Sequence, residues 1–304
     1  MPATTPSLPD ASGSHELRCL EVWGGSNAAS HIASVPGLDI AVRSSPVEGE
    51  NGGDLYLISS CSSGWISRVL LADVSGHGPT VSGLSSKLRK AMHKSINTVD
   101  QSKLARTLNS AFDEFSSDGR FATAILMTYY APSGHLVLVN AGHPPPLIKR
   151  AGSLAWQTLT KETPGAMTQS TRELRVGLMN LPLGVINNTD YEQIAIKLHA
   201  GDRVCAYTDA YSETKNELGH MLGIGGLCEM LGSGAMIDAP IDSLSERLER
   251  TLAEQGYQRA NDDHTMMFIE HNGQERPKLS IPIVGNWLKN NFGLGHTDTV
   301  PTLS

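Results

Sequence analysis

Cysteine is scarce and unpatterned in this 304-residue chain: its four cysteines, Cys19, Cys61, Cys205 and Cys228, include no CxxC pair. In a chain of this length that argues against a zinc site or a disulfide frame and leaves buried, reduced thiols. Long apolar runs are also missing. Without 18 or more consecutive apolar residues the chain offers no membrane-spanning helix, and no membrane insertion is expected. The opening stretch, Met1 to His15, is rich in Pro, Ser, Ala and Thr and lacks an apolar h-region, so it reads as a disordered leader rather than a signal peptide, and a cytoplasmic location follows. A block of Lys and Arg is absent as well, and the net charge is -7. Nucleic acid is therefore excluded as a partner, because neutralising phosphates needs clustered cations. A protein or a small molecule remains as the substrate. No internal repeat is visible.

What the chain does have is acid in particular places. Asp54 follows Gly52-Gly53, Asp73 lies in Leu71-Ala72-Asp73-Val74-Ser75-Gly76-His77-Gly78, Asp209 ends Tyr207-Thr208-Asp209, and Asp262 opens Asp262-Asp263-His264-Thr265. Each stands at an end of a strand-like run or in the turn beside it. Carboxylates gathered at one sheet edge repel one another unless a cation joins them, and hard divalent cations are what such oxygen-donor groups hold.

The runs around these acids predict elements. Residues 38–43, 55–60 and 66–72 are short apolar or alternating segments between Gly-, Ser- and Asn-rich turns, which predicts strands. From Pro79 the period changes: Val81, Leu84, Leu88, Ala91 and Met92 make one helical face, and Leu104, Leu108, Ala111, Phe112 and Phe115 make a second. Two consecutive antiparallel helices would cover one face of a sheet. Residues 121–130 and 136–140 then form a hairpin about Pro132-Ser133-Gly134, and Asn140-Ala141-Gly142-His143-Pro144 is a turn into Leu147 and Ile148. Residues 161–175 are polar and loop-like. Residues 181–185, 194–198 and 203–208 read as strand segments, the last two joined by Ala200-Gly201-Asp202; Leu244, Leu248 and Leu252 mark a helix, and residues 264–269 a closing strand. Strands in clusters with helices in pairs describe an α+β sandwich, not a parallel βαβ sheet.

The ordered set of motifs resembles the metal-dependent protein serine/threonine phosphatases (PPM type), in the bacterial SpoIIE/RsbU-like branch. The likeness runs over residues 52–269 and includes Gly-Gly-Asp54, Ala-Asp73-Val-Ser-Gly-His-Gly, Phe121-Ala122-Thr123, Asn140-Ala141-Gly142-His143, Leu181-Pro182-Leu183-Gly184, Gly201-Asp202, Thr208-Asp209 and Asp262-Asp263-His264-Thr265. Any one motif is weak; the order is what carries weight. The resemblance implies two packed antiparallel β-sheets flanked by helices, and a site for two ions, Mn²⁺ or Mg²⁺. By motif, Asp73 would bridge the ions, Asp209 and Asp262 would complete one, and Asp54 with the backbone carbonyl of Val74 would complete the other. Such a pair activates water and neutralises phosphoryl oxygens, so no side-chain nucleophile is needed. The implied substrate is a phosphoserine or phosphothreonine on a regulatory protein of the anti-sigma-antagonist type, in partner-switching signalling.

Blander readings exist for each residue. Asp73 could cap the helix that starts at Pro79. Asp54 and Asp209 could be solvated strand-end acids. Asp263 is expected to brace its neighbour or cap a turn, Asp262 being the ligand. His77 is a candidate proton donor to the leaving oxygen, although a histidine in a Gly-rich turn more often packs or hydrogen-bonds. His143 reads as a turn residue, and His264 stands where the family has an aliphatic side chain, which points it into a polar gap. Ala210 replaces a glycine that usually follows the third acid; its methyl fits if φ is negative and strains the Asp209 loop otherwise. The expected layout is a leader over residues 1–35, a phosphatase domain over 36–271, and a tail over 272–304 in which Val284, Trp287, Leu288 and Phe292 space out one short amphipathic helix. A catalytically silent module that binds a signalling partner is the competing reading, and a hydrolase of small phosphoesters a third.

Overall fold

The structure, a computed structural model, describes residues 13–18, 20–47, 51–61, 64–75, 79–116, 119–168, 180–187 and 189–274. The tail helix expected near residues 284–292 and His77 lie outside them.

The chain opens with β1 (Gly13–Glu16), β2 (Val22–Asn27), β3 (Ala29–Val35) and β4 (Leu38–Ser45), continuing through β5 (Asn51–Ser60) and β6 (Ile66–Val74). Two helices follow, α1 (Pro79–Lys94) and α2 (Gln101–Ser116), and then the hairpin β7 (Ala122–Tyr130) and β8 (His135–Ala141). Short strands β9 (Leu147–Lys149), β10 (Gln157–Thr158) and β11 (Met167–Thr168) precede β12 (Gln193–Lys197) and β13 (Arg203–Tyr207). The remainder is α3 (Asp209–Ser212), β14 (Lys215–Asn216), α4 (Gly223–Leu231), α5 (Ile241–Glu254), β15 (Tyr257–Gln258) and β16 (His264–His271).

These strands form two large sheets. One runs β1-β3-β4-β16-β13-β9-β10 and the other β11-β12-β8-β7-β6-β5-β2; β14 and β15 pair separately. Only β1 against β3 is parallel among the described pairings. The expected α+β sandwich is what forms. The expected domain start at residue 36 falls inside the β3–β4 hairpin, and β2 and β3 belong to different sheets, so residues 22–35 are shared by both layers.

The sheets face each other through side chains at alternate positions. Tyr56 and Ile58 of β5, Val69 and Leu71 of β6, Ile125 and Met127 of β7, Val204 and Ala206 of β13, and Met267 and Ile269 of β16 fill this inner layer. The other parity faces helices. Leu55, Leu57, Leu70 and Ala72 pack on Leu84 and Leu88 of α1 and Leu104, Leu108 and Phe112 of α2, while Cys205, Tyr207, Met266 and Phe268 pack on Leu227 of α4 and Leu244 and Leu248 of α5. Full burial of each such side chain contributes about 1.5–3 kcal/mol.

One expectation changes in detail. Residues 181–185 are not a strand: Leu183 alone bridges Ala122, because Pro182 lacks an N–H and Gly184 turns at φ +84°. Residues 194–198 and 203–208 are strand segments joined by a turn, as expected, but the turn passes between layers: β12 and β13 lie in opposite sheets, and residues 198–202 carry the chain across.

Candidate metal centre

The alternation that builds the inner layer also aims the polar residues at its end. Asp54 shares parity with Tyr56 and Ile58, and Asp73 with Leu71 and Val69, so both face the space between the sheets, directly opposite each other in the β5–β6 register. Thr123 of β7 stands across from Asp73, and Val74, whose carbonyl is a proposed ligand, closes β6 opposite Ala122. From the facing sheet, Thr208, Thr265 and Ser44 have the same inward parity, each two residues from an inner-layer side chain: Ala206, Met267 and Val42 respectively.

These groups are wired together. The Thr208 hydroxyl donates to Asp54 Oδ2 at 3.0 Å, while the Thr265 amide donates to the same hydroxyl at 3.0 Å and the Thr265 and Ser44 hydroxyls lie 2.9 Å apart. Asp54 is thus buried and tied to the opposite sheet. Thr123 Oγ1 lies 2.8 Å from His143 Nδ1, and the Asn140 side chain clamps the turn at both ends, donating to the His143 carbonyl and accepting its amide at 2.8 Å each. Burial drives the His143 imidazole down to about 3, against a weaker pull from the Tyr207 carbonyl, so it is neutral and supports the turn as expected. Gly142, at φ +70°, abuts Pro182: a Cβ there would stand 2.8 Å from its ring. The Asn-Ala-Gly-His and Leu-Pro-Leu-Gly motifs are therefore neighbours in space.

The third and fourth acids come from the facing sheet's ends. Asp209 opens α3 directly after β13, and Asp262 and Asp263 precede β16. Asp262 is exposed; its carboxylate accepts the Asp263 amide at 2.8 Å. Asp263 is a brace. It accepts the Val47 amide at 2.7 Å and the Gly53 amide, and a Cβ on Gly52 would stand 2.6 Å from its Oδ2, which explains why a glycine precedes Gly53-Asp54.

Electrostatics shows which acids share a field. Burial, then the charges of Asp209, Asp262 and Asp263, push Asp73 up to about 7. Burial first and Asp73 second hold Asp54 well above the ordinary carboxylate range, opposed by the Thr265 and Thr208 hydroxyls. Asp209 is raised by burial, then by Glu213 and Asp262. Among the described residues no Lys or Arg pairs with any of these four. Donor chemistry and uncompensated charge both suit a hard divalent cation. Among the described residues, however, no three His, Cys, Asp or Glu side chains close into a metal-holding group. The acids share one field as a loose set.

Sequence reasoning missed the supporting hydroxyls of Thr208, Thr265 and Ser44, and Glu213 as a further charge beside Asp209. Thr208 alone had a signal, its place beside Asp209 at a strand end; Thr265 and Ser44 adjoin no acid along the chain.

A family model described as stage II sporulation protein E (SpoIIE) matches residues 66–272, well over half of the chain. The chain belongs to the SpoIIE family. Within the PPM-type phosphatases it is thus a SpoIIE/RsbU-like member, and solved structures agree on the fold. The RsbU and RsbW domains of a Mycobacterium tuberculosis protein share 24% identity at a TM-score of 0.62, over 79% of this chain and 62% of that one, so the chain spans less than two thirds of that relative. The SiaA-PP2C domain of Pseudomonas aeruginosa shares 20% identity at 0.58, over 76% of this chain and 85% of its own. RsbX in complex with magnesium shares 14% identity at 0.53, over 79% and 98%. Among the described residues no helix is long and apolar enough to cross a membrane.

Proposed function

We propose that this SpoIIE-family chain is a metal-dependent protein serine/threonine phosphatase that acts in the cytoplasm on a phosphoserine or phosphothreonine of a regulatory protein in partner-switching signalling. The observation that carries this reading is the uncompensated acid set at one end of the two sheets, with Asp73 pushed up to about 7. Asp54, Asp73, Asp209, Asp262 and the Val74 carbonyl would hold the ions, two of Mn²⁺ or Mg²⁺; a magnesium complex of the structurally similar RsbX supports the metal class. When bound, such ions supply charge to the phosphoryl oxygens and a more acidic water. The protein's own part is positioning. The Thr208 hydroxyl fixes one oxygen of Asp54, the Asp263 carboxylate holds the turn before it, and the Thr123–His143 pair walls the far side of Asp73. His77 is the candidate proton donor to the leaving oxygen.

Because a phosphoryl site reads chiefly the phosphoryl group, selectivity for a protein of the anti-sigma-antagonist type rests on contacts outside it. The test is hydrolysis of p-nitrophenyl phosphate by the purified chain with Mn²⁺, with Mg²⁺ and with EDTA. Metal-dependent turnover abolished by EDTA supports the proposal; turnover indifferent to chelation overturns the metal mechanism. The absence of a closed three-donor group among the described residues favours one competing reading, a silent module that binds its partner without hydrolysis. No turnover with either ion, alongside retained binding of a phosphoprotein, would establish that alternative.

A further inference from the structure

A cavity of about 230 Å³ lies on the helix-covered flank of the first sheet, between α3, α5, β15 and the start of β16. Its walls are largely apolar and aromatic, from Tyr211, Leu252, Ala253 and Tyr257, with the exposed Arg259 supplying a cation. His264 is 3% exposed, and its Nε2 is buried without a hydrogen-bond partner, although its other ring nitrogen is held 2.7 Å from the Asp262 carbonyl and 3.1 Å from Arg259 Nε. Nε2 is sealed from water, so His264 gives the cavity ring surface and not a hydrogen-bonding atom.

Charge narrows the class of ligand. Glu249 also lines the cavity, but it is neutralised by a bidentate Arg43 contact, Nε to Oε1 and Nη2 to Oε2 at 2.9 Å each, and accepts the Tyr211 hydroxyl at 3.1 Å. Arg259 uses one Nη to donate to the Ser45 carbonyl at 3.0 Å and forms no ion pair among the described residues. One cation is thus left over beside aromatic walls. The Tyr211 ring meets His264 edge-on at 5.2 Å, so the inner wall is a fixed aromatic surface.

We propose that this cavity binds a small aromatic carboxylate, its ring against Tyr211, Leu252 and Tyr257 and its carboxylate at Arg259. The chemistry has two natural sources, a free arylalkanoic acid or the C-terminal aromatic residue of a partner chain. The inference does not depend on the phosphatase reading, since none of the cavity's lining residues is a proposed ligand.

The experiment is ligand-detected and ¹H–¹⁵N NMR on the full chain with three probes: 4-hydroxyphenylacetate, a short peptide ending in a free tyrosine, and the same peptide amidated. Saturable binding of an acid, with shifts confined to residues around Tyr211, Thr214, Tyr257 and His264, is the expected result, and which acid binds tighter names the source. Ala253→Trp, at an exposed position on the wall, should fill the cavity and weaken binding at least tenfold, and Arg259→Gln should weaken the acids but not a neutral analogue, 4-ethylphenol. No binding of either acid, equal binding of the amidated peptide, or affinity unchanged in Ala253→Trp would each overturn the proposal.

Discussion

Strand β13 has an aspartate just before it and another just after it, and the two have opposite environments. At its start, Asp202 is buried yet saturated: it accepts the Arg150 guanidinium at 2.8 Å, the Ala151 amide at 2.8 Å and the His199 amide at 3.0 Å. Burial works against its charge, but those amides and Arg150 bring the carboxyl below its ordinary range. Past the other end, Asp209 is raised by burial and then by the charges of Glu213 and Asp262, and among the described residues no Lys or Arg pairs with it. The difference separates an acid that the fold compensates from acids that it leaves uncompensated, and it does so better than burial does. Both oxygens of Asp202 are answered by the fold, whereas among the described residues no Lys or Arg pairs with Asp54, Asp73, Asp209 or Asp262.

The largest expected effect follows from removing the centre of that set. Asp73→Asn should abolish metal-dependent hydrolysis, by 100-fold or more, and remove the Mn²⁺-induced rise in Tm, while the metal-free variant melts at or above the parent because one mutually repelling charge is gone. Thermal melts with EDTA and with Mn²⁺ check this; equal metal-induced shifts in both proteins would show that Asp73 is only a helix cap. The opposite pattern is expected at the other end. Asp202→Ala leaves buried amides and Arg150 unanswered and should cost about 2–4 kcal/mol in urea unfolding, with the metal-induced shift in Tm retained.

How much of this was legible in the sequence depends on side-chain period. The runs at 55–60 and 66–72 announce β5 and β6 because their alternating or continuous apolar residues answer to a core on each face, and the same parity points Asp54 and Asp73 inward. β2 was not legible: Val22-Trp23-Gly24-Gly25-Ser26-Asn27 has too few apolar side chains, and its edge position is stabilised by Trp23 packing against Tyr56 and His31 instead. α4 was hidden by Gly223, Gly225 and Gly226, residues with poor helix propensity that only its packing on the first sheet overrides. Residues 181–185 misled in the other direction, their apolar run serving a single bridge and a turn packed on α2. The Thr208 and Thr265 hydroxyls escaped notice because sequence shows which residues neighbour an acid along the chain, not which face it across the sandwich.

The two acid environments also predict opposite responses to pH. Asp73 ionises at about 7 in the folded, metal-free protein against an ordinary value of 3.8, so between these values the folded state holds a proton that the unfolded chain has released. Stability of the metal-free protein therefore falls as pH rises through that window, by up to about 1.4 kcal/mol per pH unit for one proton. Asp202, shifted down, gives stability that is present above its ordinary value and lost as pH falls through its lower folded value. Urea titrations at pH 5 and 7 in EDTA should show the first trend in the parent relative to Asp73→Asn. A parent and variant with parallel pH profiles would dissolve the contrast between the two ends.

The smallest effect tests whether the Asp209 end carries strain in its backbone as well as unanswered charge. The resemblance places Ala210 where a glycine is expected, and strain there would require a positive φ. Among the described residues only Leu20 and Asn180 are non-glycines with positive φ, and Ala210 lies within α3, its carbonyl accepting the Thr214 hydroxyl at 2.7 Å. The methyl is buried and in regular helical backbone, so nothing there is relieved by removing it. Ala210→Gly should therefore leave the Mn²⁺ titration and turnover within about twofold of the parent and lower stability by about 1 kcal/mol, through lost helix propensity and one small buried group. A clear gain in metal affinity in Ala210→Gly, measured by calorimetric titration, would mean that the loop carrying Asp209 is held under tension after all, and that the contrast between the ends of β13 is one of backbone strain as well as of charge.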